Sequence, residues 1–191
     1  MVIDPVPPRP ADKFLKYARI EEEHRYLVTS LPREIRGSTE FIRIVDFYIT
    51  GTRLRLRRME SSRGEILTFK LGQKYQAEDL QVHQAIMTNM YLNEGEYRKL
   101  RALGGAEINK RRYPYESEKL LYSLDVFEGS LQGLILAEIE RRPGVILTGL
   151  SVPGFAAQEV TGDPRFNGGH LAVLGTDQLL ELLSHYCEQK M

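Results

Sequence analysis

After Arg19, apolar and polar residues alternate along most of the chain in short runs separated by turn formers, and this period of two predicts extended strands. The runs cover 19–28, 41–50, 52–59 and 65–71, with breaks at Ser30, Leu31 and Pro32, at Gly51, and at Ser61, Ser62, Arg63 and Gly64. The polar stretch after Pro32 predicts a short helical turn, and residues 81–92 predict a further strand. Over 93–104 the pattern changes. Asn93 stands as a cap, Glu94 and Glu96 come early, Arg98, Lys99 and Arg101 come late, and Gly104 ends the run, which predicts a helix. Strands follow over 107–114, 119–127 and 133–141, the first two turning near Pro114 to Ser117 and the last two near Glu128 to Gly133. In 177–189, Leu179, Leu180, Leu183 and Tyr186 form a helical stripe. The sum is an α+β fold of about eight strands, in which helices brace a large antiparallel sheet or barrel.

The N-terminal residues carry Pro5, Pro7, Pro8 and Pro10, so 1–16 reads as a flexible extended arm and 17–191 as a single domain. A chain of 191 residues, 42% of them hydrophobic, is ample for one core. Lys plus Arg and Asp plus Glu balance at 26 each, which argues against a global field for a nucleic acid polymer or an anionic membrane. The single Cys187 excludes an intrachain disulfide framework, and His24, His83, His170 and His185 lack zinc-ligand spacing. No secretory-type segment or long apolar run stands out, and the expected location is the cytoplasm. Monomer and homodimer both stay open.

The period of two also sorts the charges. Glu21 and Glu23 in I-E-E-E-H-R-Y-L-V share one face of their strand, as do Glu138 and Glu140 in L-I-L-A-E-I-E-R. Facing each other, the two pairs would make a site for a hard cation. Arg53, Arg55 and Arg57 alternate with Leu54 and Leu56, Lys70 lies in L-T-F-K-L, and Lys110 and Arg112 lie in N-K-R-R-Y. A face this charged is too costly for a dry, unpaired core, so it predicts a wet lumen with a charged guest. Leu54, Leu56, Leu67, Phe69, Ile135 and Ile139 are then the outer, apolar members. Arginine forks and lysine point charges suit a phosphate chain. Alternation turns Arg111 away from its neighbours, and a charged edge strand is the competing reading of Arg53, Arg55, Arg57 and Arg58, with more weight at Arg53 and Arg58.

These segments carry a family resemblance. E-E-E-H-R-Y-L-V resembles the E-x-E-x-K signature of the CYTH domain, or triphosphate tunnel metalloenzymes, which include class IV adenylate cyclases, thiamine triphosphatases and inorganic triphosphatases. From about residue 19 to 175 there follow in order R-L-R-L-R, T-F-K, K-R-R-Y, L-D-V-F-E-G, A-E-I-E and E-V-T-G-D-P-R-F-N, similar to the short bacterial branch. The resemblance implies an eight-stranded antiparallel tunnel with Arg55, Arg57, Lys70, Lys110, Arg112 and Arg165 on a triphosphate. It further implies Glu21, Glu23, Glu138, Glu140, Asp125 and Glu159 around Mg²⁺ or Mn²⁺, with Arg25, Glu23 and Lys70 in the catalytic step. Asp163, beside Pro164, reads as a turn residue.

Two departures stand out. Arg25 replaces the family lysine, keeping its charge but losing a group that readily shifts its pKa to move a proton. Met87 and Asn89 stand where the family strand carries alternating glutamates. The expected function is metal-dependent hydrolysis of inorganic triphosphate or a similar compact polyphosphate, because no aromatic clamp for a base is evident. The alternatives are a class IV-type adenylate cyclase and a noncatalytic polyphosphate or nucleotide binder.

Overall fold

Alternation of side chains on adjacent strands leaves one apolar face to be covered by helices and loops, and the architecture is built around that face. The computed structural model describes residues 17–188. The strands are β1 (Arg19–Leu27), β2 (Ile42–Ile49), β3 (Leu54–Ser61), β4 (Ile66–Tyr75), β5 (Gln84–Leu92), β6 (Gly105–Ser117), β7 (Leu120–Phe127), β8 (Ile135–Glu140) and β9 (Gln158–Glu159). The helices are α1 (Glu94–Arg101), α2 (Gly168–Leu171) and α3 (Thr176–Glu188), with 3-10 turns at Arg33–Ile35, Gly129–Leu131 and Pro164–Phe166.

All pairings are antiparallel, in the order β5-β4-β3-β2-β6-β7-β8-β1-β9, with β5 also paired to β1. The seam is β1: its first half, Arg19 to Glu22, pairs with β5, and its second half, Glu23 to Leu27, pairs with β8. The eight long strands therefore form a closed barrel with no free edge between β5 and β8. Short β9 adds against Tyr26 and Leu27.

Three apolar clusters hold it. Phe47, Ile49, Leu56 and Leu71 on the outer wall pack under Tyr97 of α1. Tyr26, Tyr113, Tyr122, Leu124, Ala137 and Ile139 form another outer wall, covered by loop residues that include Leu31, Phe41, Leu147 and Phe155. The third cluster joins Leu27, Ile108, Phe127 and Leu136 to Phe166, Leu171, Leu179, Leu182 and Tyr186. Those four strand residues share parity with the predicted lumen charges, so the interior is apolar where α2 and α3 pack and charged beyond. The expected lumen is thus polar over only part of its length.

Helix α1 has the expected cap. Asn93 Oδ1 accepts from the Glu96 amide at 2.9 Å while Glu96 Oε2 accepts from the Asn93 amide at 2.8 Å. The turn expected at Pro114 to Ser117 is displaced: β6 continues to Ser117, and the chain reverses at Glu118 and Lys119, both left-handed, with φ of 53° and 64°. Pro114 is tolerated because β2 pairs with β6 only as far as Arg112, so one edge of β6 carries no ladder there. β4 runs on to Tyr75, beyond its expected end at Leu71, with consequences for the site. The proline-rich arm assigned to 1–16 lies outside the described residues. Among those residues no helix is long and apolar enough to cross a membrane.

Candidate metal and phosphate site

Directly opposed residues on neighbouring strands share a face, so the register itself assembles the inner wall. Glu23 opposes Glu140, and Arg25 opposes Glu138. Arg57 opposes Asp46 on one side and Lys70 on the other, and Arg112 opposes Asp125.

On the β1–β8 wall, Glu21, Glu23 and Glu140 each bring one carboxylate oxygen within 4.8 Å of the others. Burial pushes the Glu140 carboxyl above its ordinary range, and the nearby negative charges of Glu21, Glu138 and Glu23 push it the same way. Three converging carboxylates that repel one another fit a hard divalent cation, which takes oxygen ligands and cancels that repulsion. Lys74, from the extended end of β4, lies against the cluster, its Nζ 2.8 Å from Glu21 Oε2 and 2.5 Å from Glu23 Oε1. Burial works against the Lys74 charge, but Glu23 and Glu21 outweigh it and hold the ammonium above its ordinary range.

The cationic wall is braced by carboxylates of its own. Asp46, 2% exposed, receives Arg57 Nε at 2.6 Å and Nη2 at 2.7 Å, with Arg55 Nε 3.7 Å away. Burial disfavours the Asp46 anion, but Arg57 and Arg55 overcome it and hold the carboxyl well below its usual range. Asp125, fully buried, accepts from Lys110 and takes both Nε and Nη2 of Arg112 at 2.6 Å. Arg112 Nη2 also reaches Glu138 Oε2 at 2.5 Å. Glu138 is buried at a cost to its charge, which Arg112 and Lys110 more than offset, so its carboxyl is held well below the ordinary range.

The predicted residues thus fall into groups. Glu21, Glu23 and Glu140 converge, whereas Glu138 and Asp125 are ion-paired to the cations. Glu159 lies beside outward-facing His24, 2.7 Å from its Nδ1, and accepts from Thr161 Oγ1 at 2.7 Å. Arg25 spans to the segment after β9, donating to Phe166 O at 2.6 Å, Thr161 O at 3.3 Å and Asn167 Oδ1 at 2.8 Å, with Glu23 Oε1 3.7 Å from its Nε. Arg165 is gripped by Asp163 and by Tyr186 Oη at 2.8 Å, and Asp163 caps the 3-10 turn by accepting from the Arg165 amide. Hydrogen bonds from Arg165 hold the Asp163 carboxyl down at about 2. Lys70 Nζ lies 5.2 Å from the ring centre of Tyr91. Arg111 faces away from its neighbours, toward Glu128 and Phe41, as alternation predicts.

Sequence reasoning missed two residues. Lys74 continues the period of Lys70 and Gly72, a signal hidden by ending β4 too early. Asp46 is a lone acid among the apolar residues of I-V-D-F-Y-I, and its alignment against Arg57 appears only in the register.

No family model matches the chain. Over 64 residues, 34% of its length, it is 36% identical to the inorganic triphosphatase of Acetivibrio thermocellus, and that match spans 40% of the relative. The crystal structure of the inorganic triphosphatase NE1496 has the same fold, with a TM-score of 0.52 and 22% identity over 81% of this chain and 95% of that one. A matched segment and a shared barrel are what this chain has in common with these two triphosphatases. The barrel of this chain carries acids on β1 and β8, but the inner face of β5 is neutral. There Met87 opposes Lys74 and Asn89 opposes Gly72.

Proposed function

We propose that this chain hydrolyses a triphosphate, inorganic triphosphate or a similarly compact polyphosphate, with the help of Mg²⁺ or Mn²⁺. The observation that carries this reading is the division of one inner wall into an acidic part, Glu21, Glu23 and Glu140, and a cationic part, Arg55, Arg57, Lys70, Lys110 and Arg112. The named triphosphatase relative supports it.

The cations bind and align the phosphate oxygens. A guanidinium has five N–H donors, and Asp46 and Asp125 occupy only part of each fork, so these carboxylates fix Arg57 and Arg112 in place while leaving donors for the substrate. Lys70, beside Arg57, adds a compact charge where the departing phosphate gains negative charge. Glu23, in the acidic part of the wall beside Arg25 and Lys74, orients the attacking water. A divalent cation on Glu21, Glu23 and Glu140 supplies Lewis-acid charge and a more acidic water when bound.

The test is phosphate release from triphosphate, ATP, thiamine triphosphate and longer polyphosphates with each metal, using Glu138→Ala as the impaired control. Release from triphosphate above blank, reduced in the control, is the expected result. No release from any substrate, in an assay where a family triphosphatase is active, rejects hydrolysis. Cyclic AMP from ATP would mean that a ribose hydroxyl replaces water. A second reading, polyphosphate binding without turnover, is favoured by Arg25, whose guanidinium is committed to Phe166, Thr161 and Asn167 rather than to chemistry. Tight triphosphate binding without phosphate release would establish it.

A further inference from the structure

Strands β4 and β1, which flank β5, place a cation against two of the three carboxylates that the proposed function assigns to a metal. Lys74 reaches Glu21 at 2.8 Å and Glu23 at 2.5 Å, and these two, with Glu140, offer oxygens within 4.8 Å of one another. The inner face of β5 alongside has no acid to engage the ammonium, since Met87 is the residue opposite Lys74.

From this geometry we propose that Lys74 is a built-in counter-ion of the acidic cluster, which a divalent metal must displace. The inference rests on the reading of Glu21, Glu23 and Glu140 as metal ligands. Two like charges cannot share the same carboxylate oxygens at these distances without strong repulsion, so ammonium and metal alternate there. In the metal-free protein Lys74 offsets the mutual repulsion of the carboxylates and keeps the cluster assembled. When the metal enters, the ammonium is released on the inner face of β4. That face also carries Gly72 and Lys70, and Arg55 Nη2 lies 3.6 Å from where a Gly72 Cβ would stand. The freed charge therefore joins the cationic row that receives the polyanion. Lys74 is a positioning residue that sets the threshold for metal loading.

The experiment is Mn²⁺ titration of the substrate-free full chain by calorimetry, with thermal melts of the metal-free and Mn²⁺-loaded protein. Lys74→Met removes the charge at similar length, and Lys74→Arg retains it. Lys74→Met is expected to bind Mn²⁺ about ten-fold more tightly or better, while Lys74→Arg stays within roughly three-fold of the parent. The metal-free Lys74→Met protein should melt lower, and Mn²⁺ should raise its Tm by more than it raises the parent's. Should Lys74→Met fail to fold, Lys74→Gln carries the same expectation. Equal or weaker Mn²⁺ binding by the charge-removed variant overturns the inference. If Glu140→Gln at the same time weakens Mn²⁺ binding by the parent chain, the metal site stands and only the counter-ion role falls. If Glu140→Gln leaves Mn²⁺ binding unchanged, the metal reading fails and this inference with it.

Discussion

Arg57 grips Asp46 across the β2–β3 ladder through two parallel hydrogen bonds, Nε to Oδ1 at 2.6 Å and Nη2 to Oδ2 at 2.7 Å. Asp46 is 2% exposed, and Arg55 lies 3.7 Å from it, so removing the carboxylate leaves two cations crowded together without their partner. Breaking a buried pair from one side costs about 3–5 kcal/mol. Asp46→Ala is expected to lower Tm by about 10 °C. It should also weaken triphosphate binding, because Arg57 loses its fixed orientation. Thermal melts and calorimetry check both, and an unchanged Tm would contradict the bracing role.

The same pair makes stability pH-dependent with a defined sign. Asp46 and Glu138 titrate well below their ordinary range in the folded barrel, because neighbouring guanidinium and ammonium groups overcome the cost of burial. As pH falls the unfolded chain takes up these protons first. Their stabilisation is therefore fully present above the ordinary carboxylate range and is lost progressively beneath it. Tm should decline below about pH 4. The decline should be shallower in Asp46→Asn, which lacks one of the two groups. Melts followed by circular dichroism across pH 2–8 measure the difference.

Glu140 has the opposite sign. Its carboxyl is raised by burial and by Glu21, Glu138 and Glu23, so the folded protein carries a penalty while Glu140 is ionised and loses it as pH falls and the proton binds. Glu140→Gln should raise the metal-free Tm, more at pH 8 than at pH 4, while Mn²⁺ affinity falls. The loss of affinity should exceed the roughly 10–100-fold attached to outer-shell metal partners. A variant that melts lower than its parent at pH 8 would show that the carboxylates do not repel.

Much of this barrel is written in local pattern. The period of two locates each long strand, and Asn93 with Glu96 announces α1 before any tertiary information is needed. The parity that puts Glu21, Glu23, Arg55, Arg57, Lys110 and Arg112 on the inner face is equally legible, since it depends only on alternation. What alternation cannot give is which inward charges meet. Glu138 and Glu140 are neighbours of like parity, yet one binds Arg112 and the other joins the acidic cluster, because strand stagger sets their partners. Lys74 and Asp46 were hidden for a related reason. Each has meaning only through a strand distant in sequence or a register that no single segment contains. The apolar end likewise depends on α3 folding back onto Leu27 and Leu136.

Arg25 is the residue at which the resemblance and the geometry diverge most. A lysine, as in the E-x-E-x-K signature that this segment resembles, offers one compact ammonium, whereas this guanidinium ties β1 to the segment after β9 through Phe166, Thr161 and Asn167. Hydrogen bonds to charged groups contribute about 1.5–3 kcal/mol each, though not additively, so Arg25→Ala should cost about 2–4 kcal/mol. Arg25→Lys keeps the charge, but a single ammonium cannot span three acceptors laid out for a planar fork. It should therefore melt lower than the parent, expose the amides of 161–167 to faster hydrogen exchange, and release phosphate no faster. A lysine variant that keeps the parental Tm and turns over triphosphate at least about ten-fold faster, a difference of some 1.4 kcal/mol in barrier, would instead place residue 25 in the chemical step.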